Sequence, residues 1–406
     1  MIKKKIILSA FIVVNLILLI LLQSFNALYL YLFALLTVVV FLRVMNSKSL
    51  TFIIVMILTY FIYIGFMFYH NYVSPLPSSG NDDLRFELLA DNYFYAWQAD
   101  TEPYIFQNST FYSQLLAVIY FIFGKNILIA GYLNIILHIY SCCILLKIIN
   151  KVVDKYQNIL ISLYSFNIFH ILNTVITLRE MFIIFLIILY VYTLMNFLKE
   201  EKFKFIIYSI IVSLVASLFH IGLVSLIGFS GIVYSLFSKR SWLLRLIIAC
   251  ITLFIVSIIF FTSDDSKLDL VQKKDDVLAM DVIESRTDYI IVEPPSLILK
   301  PLYIIAKTFF FLDKPFFWDI SNVSDVLAYF EKLLYLIPIF LYIIKNKYFR
   351  HNDYINILIL LVIFLSVIYG MGTENYGTAI RHREKFVYLL YIIPIYYILS
   401  KEREFT

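Results

Sequence analysis

The chain has 406 residues, of which 62% are hydrophobic and 15% are charged, and its formal net charge is +5. The mean hydropathy of +0.88 excludes a water-soluble globular domain, so we expect a polytopic membrane protein. Aromatic residues make up 18% of the chain and suit both interfacial surfaces and stacking against sugar rings. The three cysteines lie inside apolar runs, which predicts neither a disulfide framework nor a metal site.

Apolar runs recur along the whole chain, and a spanning helix needs about 20 mainly apolar residues. About twelve segments qualify as spans. They are Ile6–Leu22, Ala27–Leu42, Leu50–Tyr69, Ile127–Leu146, Ile159–Ile176, Met181–Leu198, Phe205–Phe219, Ile221–Phe237, Trp242–Phe261, Leu327–Ile344, Tyr354–Tyr369 and Phe386–Leu399. The first follows a basic start but lacks a small-residue cleavage site, so we expect a retained span rather than a signal peptide.

Two further apolar stretches, Phe111–Gly124 and Ser296–Trp318, decide the orientation. The first is short, and the second contains Lys300 and Lys307, which a spanning helix would bury at high cost. If both lie along or dip into the outer surface, the turns rich in Lys and Arg fall in the cytoplasm and most Asp and Glu residues fall outside. The positive-inside rule therefore predicts an all-α protein with about twelve transmembrane helices, two outer juxtamembrane or re-entrant helices, and both termini in the cytoplasm.

This topology gives a single membrane domain, residues 1–406, with two large outer loops, each containing one of the juxtamembrane helices. The loops comprise residues 71–126 and 262–326. The second loop is strongly charged, and the pattern is typical of a solvated or partly disordered segment.

The first outer loop mixes acids with aromatic residues, a combination that suits carbohydrate. Aromatic rings stack on sugars, and carboxylates accept hydroxyl protons or act as a general base. We therefore assign glycan binding to Asp82, Tyr95 and Trp97, and general-base candidates to Asp83 and Glu102. A solvated acidic loop is the alternative for each acid.

Arg179 lies at the outer end of a polar stripe that begins at Asn167 and includes His170. Such a stripe is either interhelical glue or the lining of a cavity. His220 lies at an outer turn between two short spans, where it is either structural or a third general-base candidate.

A second set of outer cations occurs in "GTAIRHREKF", which contains Arg381, Arg383 and Lys385. Arg179, Arg381 and Arg383 are basic residues on the predicted outer side of the membrane, where acidic residues otherwise predominate. Guanidinium groups bind phosphate oxygens bidentately, so Arg179, Arg381 and Arg383 are candidates for binding a lipid diphosphate. Contact with bulk anionic phospholipid is the alternative. The sequence carries no P-loop, dinucleotide-binding, GxSxG or HExxH motif, so no nucleotide, metal or nucleic-acid partner is predicted.

The segment "LYSFNIFHILNTVITLREMFIIF", followed by "KEEKFK" and "SLFHIGLVSL", resembles the core of the EpsG-type and Wzy-type polymerases of bacterial exopolysaccharide, capsule and O-antigen clusters. The match covers roughly Asp82–Gly228, with Arg179, Phe219-His220 and Glu102-Pro103 at family positions. The resemblance implies polymerisation of undecaprenyl-diphosphate-linked repeat units at the outer face of the bacterial cytoplasmic membrane. It also implies no cofactor, because the lipid donor is already activated, and a flippase and chain-length regulator of the same pathway as partners.

The Asp82-Asp83 pair and the following "IFGKN" also resemble GT-C glycosyltransferases, which use a polyprenyl-phosphate sugar. In those enzymes the acidic pair usually follows the first span, whereas here three spans precede it, which favours the polymerase. A polysaccharide flippase or transporter is the non-enzymatic alternative. A polymerase produces a ladder of repeats, a GT-C enzyme adds one sugar, and a flippase leaves chain length unchanged.

Overall fold

The structure is a computed structural model that describes residues 9–14, 27–45, 49–77, 81–107, 109–262, 287, 289 and 299–404. Within these ranges every regular element is a helix, which confirms the predicted all-α class. The α-helices are α1 (Ala27–Met45), α2 (Leu50–Tyr72), α3 (Asp82–Ala99), α4 (Phe111–Phe123), α5 (Ile129–Ile149), α6 (Gln157–Ser165), α7 (Ile168–Thr174), α8 (Glu180–Glu200), α9 (Lys204–Phe219), α10 (Ser225–Phe237), α11 (Trp242–Thr262), α12 (Lys300–Asp313), α13 (Val323–Ile344), α14 (Asn346–Phe349), α15 (Asp353–Met371), α16 (Tyr376–Arg383) and α17 (Ile392–Glu404).

Five of these helices, α2, α5, α8, α13 and α15, are long and apolar enough to cross a bilayer. Shorter apolar helices accompany them in the described residues, among them α4, α9 and part of α11. The architecture fits an α-helical membrane protein. The twelve-span count and the cytoplasmic termini stay predictions.

The chain divides into two compact units. Unit 1 comprises Met1–Asn150 and Lys155–Ile188, and unit 2 comprises Lys151–Asp154 and Leu189–Thr406. In unit 1, α1 and α2 pack on the buried helix α5, and α3 packs on α4. In unit 2, α10 packs between α9 and α11, α12 packs on α15, and α16 contacts α12.

The first outer loop contains a regular 18-residue helix, α3, before the predicted juxtamembrane helix α4. Its sequence is rich in Leu and Ala, which favour helix, and Asp82 and Asp83 in its first turn complement the helix dipole. Asp100 ends the helix in the left-handed conformation, with φ of 53°. Most of the predicted charged loop 262–326 before α12, including residues 263–286, lies outside the described residues.

The predicted span Ile159–Ile176 is divided into α6 and α7. Asn167 lies at the break, where its side-chain oxygen accepts hydrogen bonds from the backbone N–H groups of Phe169 and His170. The His170 ring is buried and lies 2.8 Å from the His138 ring of α5, nitrogen to nitrogen. At this position the polar stripe therefore acts as interhelical glue.

Close backbone contact in unit 2 places α12 against α15. A Cβ added to Gly370 would lie 3.1 Å from the Cα atom of Thr308, so a side chain at this position would force the two helices apart. The predicted final span, Phe386–Leu399, begins as the 3₁₀ helix Val387–Tyr391 and continues as α17. These contacts hold α16, which carries the second cationic segment, beside α12.

Candidate functional sites

The acids of the first outer loop lie on one face of α3. Asp83, Glu87 and Asp91 are spaced four residues apart, and residues with this spacing lie above one another on a helix. All three face other parts of unit 1 rather than bulk solvent: Asp83 is buried, and Glu87 and Asp91 are half-buried. The three carboxyl groups thus form an acidic face, and their surroundings in unit 1 differ from one residue to the next.

Asp83 is held by a side chain from α2. Its Oδ2 atom lies 3.4 Å from Nε2 of His70, and only 5% of the residue is exposed. The contact connects the first turn of α3 to the last turn of α2. The predicted general base Asp83 therefore lies in a position that anchors the acidic face.

Glu87 lies in the middle of the acidic face and has the most perturbed surroundings. The Tyr120 hydroxyl donates a 2.7 Å hydrogen bond to its Oε1 atom, and the Thr177 hydroxyl also bonds to this carboxyl group. Burial raises the pKa of Glu87 above its ordinary value of 4.5, the nearby Asp91 raises it further, and the hydroxyl bonds act in the opposite direction. A carboxyl group with a raised pKa in a half-buried position has the character of a general acid or base.

Asp91 is neutralised by Lys125, which follows α4. The Nζ atom lies 2.6 Å from Oδ2 of Asp91, and it also lies 6.0 Å from the centre of the Tyr95 ring. Partial burial lowers the pKa of Lys125, but the hydrogen bond that its ammonium group donates to Asp91, together with the Asp91 charge, raises it above its ordinary value. The predicted glycan-binding residue Tyr95 is 55% exposed and lies on the same side of α3, one helical turn after Asp91.

Arg179 lies beside the same helix. Its guanidinium group donates a hydrogen bond to the Ser109 hydroxyl and lies 5.4 Å from the centre of the Phe86 ring. Phe86 directly precedes Glu87, and Thr177, which bonds to Glu87, lies two residues before Arg179. The structure therefore places the predicted cation Arg179 against α3, on the residue that precedes Glu87.

The remaining candidates of the first outer loop lie in more open positions. Glu102 is exposed beyond the end of α3, and Asp82 is half-buried with its carboxyl group 3.8 Å from Arg85. Trp97 is 40% exposed, and its ring lies 5.7 Å from that of Tyr93. Asp82 and Trp97 therefore lie at the two ends of α3, and Glu102 lies just after its C-terminal end.

In unit 2, the predicted residue His220 lies against the second cationic segment. Its ring centre is 5.0 Å from that of Tyr369 and 5.8 Å from that of His382. Lys385 is fully buried, and its Nζ atom lies 2.8 Å from Nδ1 of His382. The structure thus joins His220 to α16, whose Arg381 is half-buried.

Arg383 has a different environment, because it caps the C-terminal end of α12. Its Nη1 atom donates to the backbone oxygens of Phe311, Leu312 and Lys314, at 2.9, 3.1 and 2.7 Å. Only 1% of the residue is exposed. Cations at this end of a helix bind its unsatisfied carbonyl groups and its negative dipole.

Lys332 of α13 binds the same end of α12. Its Nζ atom donates to the backbone oxygens of Asp313 and Pro315 and lies 3.1 Å from the Asp313 carboxylate. Arg383 and Lys332 together hold α12, α13 and α16 around one turn. Arg383 is therefore placed where it stabilises the fold of unit 2.

The sequence pattern missed two of these residues. The spacing Asp83–Glu87–Asp91 is a signal for Glu87, but it identifies a shared face only if residues 82–99 form a helix, whereas the predicted topology gives a loop there. Lys332 gives no such signal, since its partners are backbone oxygens more than fifteen residues earlier in the chain.

Within the described ranges, no group of three or more His, Cys, Asp or Glu side chains is arranged to hold a metal ion. Comparisons with protein-family models, with curated proteins and with solved structures find no match to this chain. The chemistry of the two sites therefore rests on their own residues.

Proposed function

We propose that this protein is a membrane glycosyltransferase that polymerises undecaprenyl-diphosphate-linked oligosaccharide repeat units, at the outer face of a bacterial cytoplasmic membrane. The observation that carries the proposal is the half-buried Glu87 carboxyl group on the acidic face of α3, with Arg179 packed on the ring of the preceding residue, Phe86. The resemblance of Asp82–Gly228 to exopolysaccharide polymerases supports the same assignment. The proposal also fits the helical architecture, which includes apolar helices of membrane-spanning length.

The reaction needs a base and a cation. A hydroxyl oxygen of the acceptor sugar attacks the anomeric carbon of the donor, a new glycosidic bond forms, and the bond to the lipid diphosphate breaks. Glu87 takes the hydroxyl proton, because its raised pKa makes it a stronger base than an ordinary carboxylate. Arg179 stabilises the negative charge that develops on the departing undecaprenyl diphosphate.

The surrounding residues supply binding and position. Tyr95 and Trp97 expose aromatic rings for stacking on sugars, and Asp82 and Glu102 offer carboxylates to glycan hydroxyl groups. Asp83 positions α3 through His70. Because the diphosphate ester is already an activated leaving group, the proposal requires no nucleotide; the flippase and chain-length regulator of the pathway are its proposed partners.

The proposal is tested by the chain length of surface glycan in a deletion strain complemented with the wild-type protein, Glu87→Gln or Arg179→Ala. We expect single-repeat product in the deletion strain, a ladder with the wild-type protein, and no ladder with either variant at equal protein levels. A deletion strain whose glycan has long chains that lack one sugar would indicate the polyprenyl-phosphate-sugar transferase instead. Accumulation of unpolymerised repeats inside the cell would indicate a flippase, and unchanged glycan would refute both enzymatic assignments.

A further inference from the structure

A charged groove of about 720 Å³ lies at one end of the helices of unit 2. It is lined by residues 200–204, which join α8 to α9, and by residues 238–240, which join α10 to α11. Four cations and two carboxylates line the groove, which leaves a net charge of +2. The groove is remote in sequence from the acidic face of α3, and nothing in the proposed reaction uses it.

Two of the four cations are neutralised within the groove. Lys202 lies 2.8 Å from the carboxylate of Glu200, and Lys239 lies 2.6 Å from that of Glu201. The second pair connects the two turns and so fixes one side of the groove. Surface pairs of this kind contribute little to stability, but they determine which cations remain available.

Lys204 and Arg240 are the available cations. Both are exposed, and neither forms an ion pair with any carboxylate in the described part of the chain. Lys204 lies over the Phe205 ring, with 5.1 Å from Nζ to the ring centre. An ammonium and a guanidinium group facing one groove form a site for an oxyanion such as phosphate.

The groove continues into apolar surface on both sides. Phe203 and Trp242 are 47% and 69% exposed at the starts of α9 and α11, and apolar side chains such as Ile211 and Leu246 remain exposed further along the two helices. Aromatic residues at this level are typical of the boundary between lipid head groups and acyl chains. A ligand with a phosphate at one end and acyl chains at the other matches a cationic groove that adjoins apolar helix surfaces.

We propose that the groove between residues 200–204 and 238–240 binds the head group of an anionic phospholipid, with Lys204 and Arg240 contacting its phosphate. The acyl chains lie along the exposed apolar faces of α9 and α11. The net charge of +2 selects anionic over zwitterionic lipids, and basic pockets between membrane helices are known to bind anionic head groups.

The test measures phosphatidylglycerol binding to the detergent-purified full-length protein by native mass spectrometry, with phosphatidylcholine as the zwitterionic reference. Each cation near a lipid surface contributes a factor of about fivefold in affinity. We therefore expect Lys204→Gln/Arg240→Gln to weaken phosphatidylglycerol binding about 30-fold and to weaken phosphatidylcholine binding much less, because the choline cation already offsets the attraction of its phosphate.

The matched control is Lys345→Gln/Lys347→Gln, which removes the same charge from two exposed lysines outside the groove, one between α13 and α14 and the other in α14. Its phosphatidylglycerol affinity should stay within about twofold of the wild-type value. Equal losses in both double variants would show attraction by net charge alone and would overturn the proposal, as would no loss in either.

Two further measurements separate the remaining outcomes. If the double variant does not fold, the single variants Lys204→Gln and Arg240→Gln should each lose about fivefold, while the charge-conserving Lys204→Arg should bind normally. Inorganic phosphate at millimolar concentration should displace little phosphatidylglycerol. Complete displacement would identify a soluble phosphate as the ligand and would overturn the lipid assignment.

Discussion

Arg179 in unit 1 and Arg383 in unit 2 belong to the same predicted class of outer cations, but the structure gives them different surroundings. Arg179 is half-buried, and its contacts include the Ser109 hydroxyl and the Phe86 ring. Arg383 is 1% exposed, and its Nη1 atom donates to three backbone oxygens. The difference teaches that an unexpected charge in a membrane protein marks either a ligand site or a helix end, and only its partners distinguish the two.

The largest expected effect is on the rate of polymerisation by the candidate site in unit 1, which contains Arg179 and the acidic face of α3. Glu87→Gln removes the proposed base while keeping an oxygen that accepts from Tyr120. We expect the rate of polymerisation to fall about 10²–10⁴-fold. Single-turnover assays with lipid-linked repeats measure this rate, and Asp154→Asn, at an exposed acid outside both candidate sites, is the control that should remain active.

Substitution of Arg383 is expected to lower stability rather than the rate of catalysis. Arg383→Ala leaves three carbonyl groups at the end of α12 without their charged donor, and we expect the free energy of unfolding to fall by about 3 kcal/mol. Thermal unfolding in detergent measures the change. A variant that folds with wild-type stability but no longer binds the lipid diphosphate would reverse the assignment of Arg383.

Arg179→Ala should have the opposite profile to Arg383→Ala. We expect the polymerisation rate to fall about 100-fold while the free energy of unfolding changes by less than about 1 kcal/mol. Arg179→Lys keeps the charge but not the planar fork, so it should restore only part of the rate. If Arg179→Ala unfolds as readily as Arg383→Ala, the contrast between the two arginines is lost.

The pH dependence of Glu87 gives a smaller effect that sharpens the same comparison. Because its pKa is raised in the folded protein, Glu87 contributes stability that is fully present below its ordinary value of 4.5 and is lost as the pH rises through the raised value. Glu87→Gln should therefore flatten the stability profile in this window and stabilise the protein slightly at neutral pH. The measurement is the unfolding midpoint of wild type and Glu87→Gln from pH 4.5 upward, with Asp154→Asn as a control at an exposed acid. An identical pH profile for wild type and Glu87→Gln would contradict the prediction.

The smallest expected effect concerns glycan binding near α3. Trp97→Ala removes an exposed ring, and we expect about a tenfold loss of glycan affinity with an unchanged rate at saturation. Titration with the soluble repeat oligosaccharide measures this affinity. Trp242→Ala, which removes a more exposed ring from unit 2, should leave glycan binding unaffected.

The all-α class follows from composition and apolar run length alone, and the structure agrees with it. The sequence does not predict the break at Asn167, because the apolar run continues across it, whereas in the structure the Asn167 side chain caps a new helix. The acidic face of α3 was visible as a four-residue spacing, but its burial against Tyr120 depends on tertiary packing. The capping role of Arg383 depends on carbonyl groups about 70 residues earlier in the chain, which no local pattern reveals.

The most direct test of the central claim is polymerisation by the purified protein in liposomes that contain undecaprenyl-diphosphate-linked repeats. The account predicts a ladder of glycan products with the wild-type protein, and no ladder with Glu87→Gln, although that variant folds and still binds the donor lipid. A ladder formed by Glu87→Gln at the wild-type rate would contradict the account.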